Sequence, residues 1–121
     1  MAKSDIFIGF ETRPENLEGF LVGQGYELET NVSDEMVKAY KHSEKGFPEL
    51  DYHAHFIQDD DEFPDWRNRG YNLASLLAIS FPCDDKGATD EALRLSRDVT
   101  RKFNGILYDE NLDDFFRGNE L

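Results

Sequence analysis

Residues 5–11 (DIFIGFE) are rich in β-branched and aromatic side chains, which predicts a first strand. A helix start follows at Thr12, with Glu15 three residues on as in a capping box and Pro14 in the first turn. Leu17, Phe20, Leu21 and Gln24 continue at helical spacing, and Gly25 suits the left-handed position that ends a helix. Residues 26–32 alternate, with Tyr26, Leu28, Thr30 and Val32 on one face of a half-buried strand. Residues 36–42 alternate as well. A strand paired with its predecessor is preferred there over a short helix capped by Ser33.

Residues 50–58 (LDYHAHFIQ) read as another alternating strand. Leu50, Tyr52, Ala54 and Phe56 share one face, and Asp51, His53, His55 and Ile57 the other. A long polar connection over 59–70 leads to the most continuously apolar segment, 73–81 (LASLLAISF), a strand expected at the centre of a sheet and stopped by Pro82. Thr89 is expected to cap a second helix with Ala92, Leu95, Ser96, Val99 and Phe103 on its apolar stripe. Asp90 with Arg94 and Asp98 with Lys102 stand at ion-pair spacing on it. Asn104 and Gly105 end that helix, a short strand follows at 106–108, and the tail from 109 is acidic and loosely determined.

The order β-α-β-β-β-β-α-β predicts one α+β domain spanning 1–121. Its single antiparallel or mixed sheet would carry two helices on one face. A ferredoxin-like, split βαβ order with an inserted hairpin accommodates it. That fold hosts many unrelated activities, so it brings no function with it.

Charge narrows the partners. There are 26 Asp and Glu against 13 Lys and Arg, a formal net charge of −13 in 121 residues. Such a surface repels nucleic-acid phosphates and anionic lipid and favours a cation or a basic protein. The chain is 39% apolar and 13% aromatic, enough to close a core without disulfides. A single cysteine, Cys83, rules out an intrachain disulfide and suits a reducing compartment. The first residues lack a basic region followed by an apolar stretch and a cleavage site, so no signal peptide is expected. No apolar run approaches the roughly 20 residues of a bilayer span. A cytoplasmic location is therefore expected.

Few residues suggest chemistry. His53 and His55 stand two apart on one strand and would point the same way, which makes them weak metal candidates unless a third ligand joins them. His42 could do so across a hairpin. Cys83 precedes Asp84 and Asp85, whose charge disfavours a thiolate. No nucleophile elbow, HExxH or phosphate-binding loop is present, and no cofactor is implied. Asp59, Asp60, Asp61 and Glu62 lack the glycine turn and distant bidentate Glu of an EF-hand loop. Phe63, Asp65 and Trp66 follow them. Aromatic residues in a charged loop either anchor a partner or fold back over the protein's own sheet.

The leading expectation is a non-enzymatic acidic protein that docks on a basic protein partner, as an inhibitor or immunity-type protein would. Asp59, Asp60, Asp61, Glu62, Phe63, Asp65 and Trp66 would form the contact. The alternative is a small-ligand domain or small enzyme, with Glu11, Tyr52, His53 and His55 around a pocket on the sheet. A third reading is self-association through an exposed strand edge.

Overall fold

A computed structural model describes residues 3–32, 37–54, 66–109 and 114–118. Among these residues the elements run β1 (Lys3–Phe10), α1 (Leu17–Gly23), β2 (Tyr26–Val32), β3 (Val37–His42), β4 (Glu49–His53), β5 (Ser75–Pro82), α2 (Lys86–Lys102), β6 (Ile106–Asp109) and β7 (Asp114–Arg117). The strands form one sheet in the order β2-β3-β4-β5-β1-β6-β7, and every neighbouring pair is antiparallel. The fold is α+β. β1 lies between β5 and β6, the two strands that α2 connects.

Side-chain alternation divides the sheet between two buried clusters. Tyr40, Leu50 and Ile79 lie on one rung of the first face, and Ile8 and Leu77 on the next. With them cluster Leu17 and Leu21 of α1 and Ala88, Ala92, Leu95 and Val99 of α2. Leu76, Ala78, Ile106 and Phe115 point the other way and enclose Trp66. β5 therefore feeds a core from each face, which explains its unbroken apolar run.

Four local expectations are corrected. Helix α1 begins at Leu17, not in the turn at 12–15. Asn16 before it has φ 63°, a left-handed conformation that cannot continue into a right-handed helix. Asp85, not Thr89, caps α2: its carboxylate accepts from the Ala88 N–H at 3.1 Å, while Thr89 Oγ1 donates to the Asp85 carbonyl. Arg94 pairs with Glu91 and Asp98, each at 2.7 Å, instead of Asp90, and the Lys102 ammonium lies 5.8 Å from the centre of the Phe20 ring. The tail also adds a strand. β7 pairs with β6 and turns Phe115 into the second cluster, so apolar burial anchors an otherwise acidic segment.

Strands β2, β3 and β5 stand where the alternation places them. On β2, however, the register shifts between Leu28 and Thr30, and Leu28 stays exposed while Tyr26 is fully buried. The expected strand over 50–58 is described as far as His53, and residues 55–58 lie outside the described residues.

Candidate functional site

Antiparallel register determines which charges become neighbours. Glu27 opposes Lys41, Lys41 opposes Glu49, Glu49 opposes Ser80, and Ser80 opposes Asp5. These residues form one rung across five strands. On the adjoining same-face rung Asp51 stands between Ala39 and Ala78, and Phe7, Tyr108 and Phe115 continue it. One face of the sheet thus carries the Trp66 cluster toward β7 and a carboxylate patch toward β2. Lys41 stands between Glu27 and Glu49, and the small side chains Ala39, Ala78 and Ser80 lie beside the other acids. Asp5, Glu27, Glu49 and Asp51 are all exposed.

The patch is electrostatically frustrated. Partial burial of its carboxyl raises the Asp51 pKa above the ordinary value. His53 pulls it back down, and Glu49, Asp5 and Glu29 push it up further. Burial lowers the pKa of His53, and Asp51 opposes that shift. A carboxyl raised in the folded state binds more protons there than in the unfolded chain, between the unfolded pKa and the folded one. Ionised Asp51 therefore destabilises the fold, and its share of stability falls as pH rises through that window. Asp51→Asn is accordingly expected to raise the urea midpoint at pH 7, and the gain should vanish at pH 3, below the ordinary value of 3.8. Urea titrations of both proteins at the two pH values check this.

The remaining candidates do not converge. His42 opposes Tyr26, whereas His53 opposes Val37, five residues further along β3. At about 3.3 Å per residue the two histidines stand about 17 Å apart along the strand. His42 is held elsewhere. Its ring stacks on Phe47 at 3.6 Å and meets Tyr26 edge-on at 5.0 Å. Nδ1 accepts from the Glu44 N–H at 3.0 Å, and Nε2 donates to the Gln24 carbonyl at 3.2 Å, which is the neutral tautomer. His55 lies outside the described residues, and among the described residues no group of three His, Cys, Asp or Glu side chains could hold a metal ion.

The expected ligand pocket is likewise not assembled. Tyr52 packs against the first cluster while His53 faces the other way, and the Glu11 carboxylate sits 3.0 Å from Arg117 Nη2. Burial pushes the Tyr52 phenol up from its ordinary pKa. The phenols of Tyr26 and Tyr40 are driven further up, first by burial, with Glu91 and Glu18 beside them adding to it.

Of the seven expected partner contacts, Asp59, Asp60, Asp61, Glu62, Phe63 and Asp65 lie outside the described residues. The placement of Trp66 is a correction. It is fully buried, with Phe115 at 4.7 Å and Tyr108 and Tyr71 beyond, and so presents no surface to a partner. Its neighbours Arg69 and Arg117 lie over the rings of Phe115 and Tyr71, and Arg69 also pairs with Asp114.

One feature left no signal in the sequence. A cavity of about 310 Å³ opens between the N-terminal half of β1, the end of β5, α2 and β6. Among the described residues the β1–β6 ladder runs from Phe7 opposite Tyr108 to Gly9 opposite Ile106, and the cavity lies beside the part of β1 that precedes it. Cys83 is exposed beside it.

No protein-family model, curated protein or solved structure matches the chain.

Proposed function

We propose that the protein is a non-enzymatic, acidic interaction module that docks on a basic protein partner. One observation carries this reading: Asp5, Glu27, Glu49 and Asp51 are gathered, exposed, on one sheet face of a chain with net charge −13. Concentrated like charge attracts counter-charge from solution and accelerates encounter with a cationic surface. The cost that Asp51 bears from its acidic neighbours is relieved when a cation covers them. Asp59, Asp60, Asp61 and Glu62 join this reading through their charge alone. An inhibitor that covers the cationic cleft of a toxin or nuclease is its concrete form.

A cytoplasmic location belongs to the same proposal; no helix among the described residues is long and apolar enough to cross a membrane. We also read the topology as a ferredoxin-like, split βαβ order with β3 and β4 inserted and both helices on one face. The placement of β1 between β5 and β6, and the shared cluster of the two helices, support that. A small-ligand role near His53 is the second reading, favoured by the half-buried imidazole beside Asp51.

The test is capture of partners from lysate of the source organism on immobilised protein, at low and high salt. Three baits are compared: wild type, Glu27→Lys/Glu49→Lys/Asp51→Lys, and Glu15→Lys/Asp84→Lys/Asp90→Lys. The last changes net charge equally at exposed positions outside the patch. One basic protein retained at near-equal stoichiometry, released by salt and lost only from the first variant, is the expected result. Equal loss from both variants, or no retained partner, overturns it.

A further inference from the structure

We propose that the cavity lined by β1, β5, α2 and β6 binds a small organic cation, a primary ammonium on an apolar stem. The cavity shares Asp5 with the carboxylate patch, but its remaining lining lies outside that patch, so binding there is tested separately from docking.

Size comes first. A volume of about 310 Å³ falls at the lower end of the range for small-molecule sites. The cavity follows from the fold: among the described residues β1 pairs with β6 from Phe7 to Gly9, the cavity lies beside the residues before Phe7, and α2 contributes Thr89, Leu93 and Ser96. The space is therefore bounded by three strands and a helix.

The polar wall holds two carboxylates beside the hydroxyls of Ser4, Thr89, Ser96 and Tyr108. Asp5 and Asp109 line it, and none of its described lining residues is Lys, Arg or His. Thr89 and Ser96 also contribute hydroxyls, but their protons are already committed. Thr89 Oγ1 donates to the Asp85 carbonyl at 2.8 Å, and Ser96 Oγ donates to the Leu93 carbonyl at 2.8 Å. Those two hydroxyls offer the cavity their lone pairs only. The two carboxylates, with no cationic side chain among the described lining residues, favour a ligand that is positively charged.

The rest of the lining gives the ligand its second half. Ile6, Phe81, Leu93 and Leu107 form an apolar wall. Leu93 is 43% exposed, unusual for a large apolar side chain on a helix whose stripe is otherwise buried. A hydrophobic stem laid against it would remove that surface from water. An inorganic divalent ion fits less well, because no group of three metal-ligating side chains is in position among the described residues.

The test is a titration of ¹⁵N-labelled protein at ~0.15 M salt, followed by amide chemical shifts. Three probes of similar shape are used: phenethylamine, 2-phenylethanol and 3-phenylpropanoate. The amine should produce saturable shifts confined to residues 4–6, 89–96 and 107–109. The alcohol should bind at least about tenfold more weakly and the carboxylate not detectably. Asp5→Asn should weaken amine binding about tenfold. Leu93→Trp, at an exposed position, should fill the cavity and abolish binding, and the spectra of both variants report directly that they are folded. Equal binding of amine and alcohol would overturn the proposal, as would shifts that spread over the surface without saturating. So would binding that survives Leu93→Trp in a folded protein.

Discussion

Replacing Trp66 by alanine is expected to cost about 3–5 kcal/mol of folding stability, the range for emptying a large buried aromatic site. Trp66 has no exposed surface, and Phe115, Tyr71 and Tyr108 surround it. Leu76, Ala78 and Ile106 complete the cluster around it, so the change leaves a cavity among strand-anchored side chains. The loss extends to β7, because Phe115 packs that strand into the same cluster. Arg69, which lies over Phe115 and pairs with Asp114, would lose its platform at the same time. Against a total stability of about 5–15 kcal/mol the loss is severe. Urea unfolding followed by circular dichroism measures it, since the variant lacks the only tryptophan. Glu49→Ala, at an exposed strand position, should stay within about 0.5 kcal/mol. A loss below about 1 kcal/mol at Trp66 would mean that the indole is free for a partner after all.

Gly25→Ala should be the next most damaging, at about 2–4 kcal/mol from two separate causes. Gly25 has φ 97°, where any side chain strains the backbone. A Cβ there would also lie within 2.3 Å of His42 Nε2, the atom that donates to the Gln24 carbonyl. The imidazole would have to leave its stack on Phe47 and its edge contact with Tyr26. Gly46→Ala separates the causes. Its φ is 84°, but nothing lies within 4 Å of the added Cβ, so only the backbone strain of about 1–2 kcal/mol applies. The difference between the two midpoints in urea is the cost of displacing His42. Equal midpoints would show that His42 moves aside freely.

These two sites mark the boundary between local and distant information. The alternation of β2 and β3, the apolar run of β5 and the stripe of α2 were legible because side-chain period is a property of consecutive residues. The glycine at 25 was legible for the same reason, since a helix stop is written within one turn. The start of α1 was not, because Thr12 and Pro14 offered a valid cap that the left-handed turn at Asn16 overrode. Thr89 was an acceptable cap in isolation, but the cap falls four residues earlier, where the Asp85 carboxylate accepts from the Ala88 N–H.

The candidate sites divide in the same way. Excess acid, a lone cysteine and the lack of catalytic motifs are facts of composition, and they directed attention to a cationic partner. Which acids stand together is a matter of register. Glu27, Glu49 and Asp5 are far apart in the chain, and pairing across five strands makes them neighbours. Trp66 had two readings in the sequence, and Phe115, contributed by a strand that acidic composition concealed, decided for burial. The cavity depends on how β1, β5, α2 and β6 come together, which no local pattern encodes. Local periodicity set the elements and their faces. Long-range pairing alone decided what those faces enclose, because it brings together residues whose spacing along the chain carries no period.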